Sequence, residues 1–117
     1  MIPPGIEIIV GLDPIDLRWS FDRLAGIALE SCGLEPRCGA LFVFFGKRRT
    51  ALKAILFHHN GFLILYKRLD KGTYRLPEPL DPHGNIVAID VSAFEDLLDG
   101  IDIEKPHRKK QRRVQFH

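Results

Sequence analysis

The sequence predicts a small α+β domain: a mostly antiparallel sheet packed on one main amphipathic helix, followed by a short C-terminal helix and a basic tail. Three observations carry this reading. Leu17, Phe21, Leu24 and Ala28 recur at helical spacing. Three apolar, β-branched and aromatic runs follow one another between residues 41 and 67. Between the last two runs stands Asn60-Gly61, the strongest short-range hairpin signal. A chain of 117 residues suits one domain with a working core, here residues 1–104, with residues 105–117 as the tail.

The first element is a short strand at residues 6–10, β-branched and closed by Gly11. The main helix is expected from residue 14 or 16 to about residue 32. Asp13 suits the N-cap, Pro14 the first helical position and Gly33 a left-handed stop. Arg18 and Asp22, four apart opposite the apolar stripe, are placed to form a weak surface ion pair. Strands are then expected at residues 41–45, 51–57 and 62–67. With Asn60 and Gly61 as the turn centre, Lys53 faces Arg68, Ile55 faces Tyr66 and Phe57 faces Ile64, all on one side of the sheet. Ala54, Leu56, Leu63 and Leu65 take the other side, the expected core against the helix. Pro77, Pro79 and Pro82 interrupt regular structure, and a strand follows at residues 86–89. Ser92 with Glu95 reads as a capping box opening a brief helix that Gly100 ends.

Charge is distributed unevenly. The net value is only +2, yet residues 105–117 hold six Lys or Arg and no acid, leaving 11 basic against 15 acidic residues in the body. That is a mildly acidic globule with a basic arm. Within the body, no acid occurs from Leu41 to Leu69, while Lys47, Arg48, Arg49, Lys53, Lys67 and Arg68 all do. Cations on a rigid sheet suit a phosphate backbone, so Arg48, Arg49, Lys53, Lys67 and Arg68 are candidate DNA contacts. Arg108, Lys109, Lys110, Arg112 and Arg113 of the tail join them through sequence-independent attraction. Basic side chains at strand ends and turns serve equally for solubility and edge protection. The tail is expected to be disordered when free.

Several function classes find no support. Cys32 and Cys38, in a chain with no secretory signal, read as reduced thiols of a cytoplasmic protein. No four-ligand zinc pattern exists, and His58 and His59, as strand neighbours, are expected to point to opposite sides. No stretch approaches 18 apolar residues, so no membrane span is expected. Asp13, Asp16 and Asp22 suit helix capping and pairing better than a two-metal nuclease site. Gly-rich phosphate loops and nucleophile signatures are lacking. The reading is therefore a non-enzymatic protein with no metal and no cofactor, and its oligomeric state is not readable.

Taken together, PIDLRWSFDRLA (14–25), GALFVFFGKRR (39–49), LKAILFHHNGFLILYKRLDKGTYRLP (52–77) and LLDGID (97–102) resemble the TnpB accessory protein of the insertion-sequence 66 family. The resemblance runs over about residues 1–103 with blocks in order and matching spacing. It matches Asp16, Arg18, Phe21, Asp22 and Leu24 in the helix block. In the sheet block it matches Arg48, Arg49, Lys53, Tyr66, Lys67, Arg68 and Leu69. Departures occur at Trp19-Ser20, where Lys-Gly is usual, at Thr50 and His58, where acids are common, and at Leu76, where a Trp is usual. The resemblance implies a small protein encoded beside a transposase and assisting transposition, by binding DNA or by docking on the transposase without touching DNA. In the docking reading Arg18 and Trp19 are the candidate protein contacts, since exposed aromatics often anchor interfaces.

Overall fold

The computed structural model describes residues 5–100. The elements in order are β1 (Ile8–Gly11), α1 (Phe21–Cys32), a 3-10 turn (Pro36–Cys38), β2 (Leu41–Phe45), β3 (Ala51–His58), β4 (Gly61–Arg68), β5 (Ile86–Ile89) and α2 (Val91–Leu98). The five strands form one sheet in the order β4-β3-β2-β1-β5. β1 and β2 run parallel because α1 carries the chain back between them; every other pair is antiparallel. This is the α+β class expected, and the basic tail residues Arg108, Lys109, Lys110, Arg112 and Arg113 lie outside the described residues. Among the described residues, no helix is long and apolar enough to cross a membrane.

Both faces of the sheet are covered. On one, Ile9, Phe42, Phe44 and Ile55 are buried beneath Leu24 and Ala28 of α1. On the other, Ile8, Val10, Leu41, Val43, Phe45, Leu52 and Ala54 pack against Tyr74 and against Phe94 and Leu97 of α2. Two-sided burial explains why β1 and β2 read as unbroken apolar runs rather than alternating ones.

Several local expectations are corrected. Helix α1 begins at Phe21, later than capping signals suggested, with Ser20 as N-cap and no side-chain cap bond. The Ile15 N–H donates to the Phe45 carbonyl at 2.9 Å and Ile15 bridges Gly46, which ties residues 15–17 to the end of the sheet in a non-helical path. Asp13 accordingly caps nothing; its carboxylate accepts from the Asn85 side chain at 3.2 Å. Arg18 pairs with Asp16, not with Asp22. Of the apolar stripe, Leu24 and Ala28 are buried while Phe21 is exposed. Gly33 does stop α1 in the left-handed region (φ 68°), its N–H donating to the Leu29 carbonyl at 3.1 Å. For α2 the cap is Asp90, whose carboxylate accepts from the Ala93 N–H at 2.8 Å, so Ser92 lies inside the first turn rather than at the N-cap.

The hairpin register also shifts. His58 pairs with Gly61, so the turn centres on His59 and Asn60, with His59 taking the positive φ of 56°. Lys53 then faces Tyr66, Ile55 faces Ile64 and Phe57 faces Phe62. The expected register set two cations against each other. The actual one replaces that repulsion with Lys53 Nζ 5.3 Å from the Tyr66 ring centroid, and adds an edge contact of Phe57 with Phe62 at 5.1 Å. Because the shift is two residues, each side chain keeps its face. The main helix, however, covers the Ile55 and Ile64 side; the Ala54 and Leu56 side belongs to α2 and Tyr74. His58 and His59 are likewise closer than expected, their rings 4.0 Å apart, because the turn rotates His59 out of strand geometry.

Candidate nucleic-acid interface

The β2–β3 turn is the structural base of the candidate site. Residues 46–50 are too many for a tight hairpin, and the turn is held from three sides. The Gly46 N–H donates to the Ala51 carbonyl at 3.1 Å, the Leu69 N–H to the Thr50 carbonyl at 2.8 Å, and the Tyr74 N–H to the Arg49 carbonyl at 2.7 Å. Arg49 sits at φ 58°, a left-handed conformation that a non-glycine residue adopts where neighbouring bonds enforce it. Gly46 has no side chain for a steric reason. A Cβ there would stand 2.7 Å from Leu17 Cδ1, so the residue 15–17 segment lies directly on the turn.

That close approach brings two basic groups together. A shallow cleft of about 320 Å³ opens between the segment and the turn, lined by Asp16, Leu17, Gly46, Lys47, Arg48, Thr50 and Arg68. At its rim the Arg18 guanidinium grips Asp16 with Nη2 at 2.7 Å and Nε at 3.1 and 3.2 Å, and the Arg18 N–H adds a fourth bond at 2.9 Å. These hydrogen bonds from Arg18 hold the Asp16 carboxyl at about 2, well below its ordinary 3.8. Lys53, half-buried, donates to the Trp19 carbonyl at 2.8 Å and sits under the Tyr66 ring. Arg68 donates to the Tyr66 hydroxyl at 3.2 Å, a bond that raises the pKa of the guanidinium further. Arg23 stacks on the Trp19 ring, its Cζ 4.6 Å from the centroid.

The predicted cations thus divide. Arg48, Lys53 and Arg68 share the α1 side of the sheet, and Arg49 is exposed at the tip of the same turn. Lys67 lies on the opposite face, paired with Leu52, where its ammonium donates to the Leu98 carbonyl at the end of α2 at 2.7 Å. The ion pairs Arg18–Asp16 and Arg37–Glu35 leave Arg48, Lys53 and Arg68 out, so among the described residues these three cations carry no carboxylate salt bridge. Of the candidate protein contacts, Arg18 is highly exposed, whereas Trp19 is half-buried against the core beneath α1. Sequence reasoning passed over Arg23, although its place four residues after Trp19 is a readable signal. Lys47, in the acid-free stretch but outside the candidate contacts, also lines the cleft.

Among the described residues no group of three or more His, Cys, Asp or Glu is placed to hold an ion. Cys32 and Cys38 are both free thiols, with burial pushing the Cys32 thiol pKa up.

Comparison with known proteins agrees with the motif blocks. Residues 6–108 match the family model described as IS66 Orf2 like protein. An uncharacterised protein, y4hO, of Sinorhizobium fredii is 33% identical over 108 residues, 91% of each chain. A second uncharacterised protein of the same organism, y4jC, is 29% identical over 115 residues, covering 97% of this chain and 96% of its own. No solved structure gives a significant match. A family match over residues 6–108, most of the length, shows that the chain belongs to the IS66 Orf2-like family.

Proposed function

We propose that this protein is a non-enzymatic accessory factor of transposition that binds DNA through the α1 side of its sheet. Family membership implies the accessory role; the DNA contact is inferred from the surface. The observation that carries it is the gathering of Lys47, Arg48 and Arg68 around one cleft, with Lys53 and Arg18 beside it and Asp16 as the sole lining acid. Phosphate oxygens are the natural counterpart of such a group, since each neutralised phosphate releases condensed counterions. Arg49 extends the surface at the turn, and Arg108, Lys109, Lys110, Arg112 and Arg113 add attraction without sequence preference. The test is a salt-titrated anisotropy measurement with element-end DNA and a scrambled duplex. Replacing Arg48 and Arg68 by Ala is expected to weaken binding to both and to flatten the slope of log K against log salt by about 2 units. Lys67→Ala, on the far face, should leave both quantities unchanged. Equal binding by the double variant and the parent overturns the proposal.

A second reading, docking on the element's transposase, is favoured by a different feature. Leu63 is 54% exposed on the face opposite the cations, beside Leu65, over a trough of about 480 Å³ also lined by Ile6, Leu41 and Leu56. Apolar surface of this kind suits a protein partner, and Arg18 and Trp19 would then be secondary contacts. Capture of the transposase by the Arg48, Arg68 double variant, lost on Leu63→Asp, would favour this reading over DNA binding.

A further inference from the structure

The cation-lined surface contains an aromatic group that phosphate binding alone does not use. Tyr66 projects from the edge strand β4 on the α1 side and is 50% exposed. Lys53 Nζ stands over its ring at 5.3 Å, and Arg68 holds its hydroxyl at 3.2 Å. The ring is thus oriented by two cations. Trp19 on this side is half-buried with Arg23 on its ring, Phe57 and Phe62 meet edge to face beneath Arg37, and Phe21, 44% exposed, stands on α1 rather than on the sheet.

We propose that this site takes DNA carrying an unpaired base, which stacks on the exposed part of the Tyr66 ring while Arg68 and Arg48 hold the flanking phosphates. The inference rests on the DNA-binding reading above and names the form of DNA. In a duplex each base face is covered by its neighbours, so a side-chain ring on a flat sheet meets only backbone and groove edges. In a single strand the base faces are free, and an aromatic ring beside a basic groove is the usual way to hold them. Three features fit the unpaired strand. Tyr66 adjoins the cleft rather than standing apart from it, because Arg68 belongs to both. The ring is oriented before any ligand arrives, which lowers the ordering cost of binding. And β4 is the end strand in the sheet order, with Tyr66, Lys67 and Arg68 exposed among the described residues.

The test uses the full chain and three fluorescein-labelled probes of twelve nucleotides: single-stranded dT, an abasic strand of the same length, and a blunt duplex. The parent is expected to bind the dT strand at least tenfold more tightly than the abasic strand or the duplex. Tyr66→Ala should lose about tenfold on dT and less than twofold on the other two, because only the base contact is removed. Tyr66→Phe keeps the ring but not the bond to Arg68 and should retain most of the dT affinity, while the unchanged abasic and duplex binding of Tyr66→Ala excludes a folding effect. The single tryptophan, Trp19, supplies a second readout, since Lys53 links its carbonyl to the Tyr66 ring; its emission should respond to dT and not to the abasic strand. Equal affinity for dT and duplex, or dT binding indifferent to Tyr66→Ala, overturns the unpaired-base inference while leaving DNA binding intact. Failure of the parent to bind any of the three overturns both.

Discussion

The two faces of the sheet use the same strands, yet they end in different surfaces. On the α1 side the core of Ile9, Phe42, Phe44 and Ile55 gives way to Lys53, Tyr66 and Arg68 as the strands approach the β2–β3 turn. On the α2 side the core of Val43, Phe45, Phe94 and Leu97 gives way to exposed Leu63 and Leu65 near the β3–β4 turn. Two lysines show the contrast most directly. Lys53 lies inside a group of cations and aromatics, whereas Lys67 donates to the Leu98 carbonyl at the end of α2, where a helix end attracts positive charge. A basic run in sequence therefore holds two populations. Strand alternation separates them, and among the described residues the α1 side brings Lys53 and Arg68 together beside Arg48.

The contrast lies at the rims, and the two cores should be equally indispensable. Phe44→Ala on the α1 side and Phe94→Ala on the α2 side each remove a fully buried ring. Each is expected to destabilise the domain by about 3–5 kcal/mol in urea unfolding. Leu63→Ala, at the exposed rim, should change stability by no more than about 0.5 kcal/mol. A near-neutral Phe94→Ala would mean that α2 is an appendage, and the two-sided architecture would be reduced to one essential layer.

The next effect is smaller and concerns how α2 is fixed to its face. Asp90 accepts the Ala93 N–H at 2.8 Å and so satisfies an otherwise unpaired amide of the first turn. Asp90→Ala should cost about 1 kcal/mol in chemical denaturation. An unchanged midpoint would mean that the Asp90 bond adds nothing to the start of α2.

Legibility from sequence followed the range of the interactions involved. β2 and β5 match their expected bounds because continuous apolar runs flanked by breakers leave little freedom. Side-chain facing along β3 and β4 was also readable, since alternation survives a two-residue shift in pairing. The register itself was not. Asn60-Gly61 is a local preference, whereas the observed pairing is decided by Lys53 meeting Tyr66 and Phe57 meeting Phe62 across the strands. The start of α1 was hidden for a similar reason. Pro14 and Asp16 look like helix openers, but the bond of Ile15 to Phe45 spans thirty positions and no local pattern announces it. At the site, Arg48, Lys53 and Arg68 were legible as an acid-free cluster. The assignment of Lys67 to the other side needed only the alternation rule together with the position of α2, and the second of these is tertiary information.

The smallest effect is also the most local, and it distinguishes the α1 rim from ordinary solvated surface. Asp16 is the one acid among the cations of the cleft, held at about 2 chiefly by the side-chain hydrogen bond from Arg18. A depressed carboxylate pKa favours the folded state above the ordinary value of 3.8, and that contribution disappears as pH falls from there through about 2. Above about pH 5 this group should therefore add no pH dependence to stability. A carboxyl carbon NMR titration of the folded protein should place the Asp16 midpoint near 2 in the parent and move it toward 3.8 in Arg18→Ala. Because Arg18 is almost fully exposed, the stability change in that variant should be slight even where the titration shift is plain. A midpoint that stays low without Arg18 would trace the depression to Lys53 and the rest of the cluster. The α1 rim would then act as one positive field rather than as a pair beside separate charges.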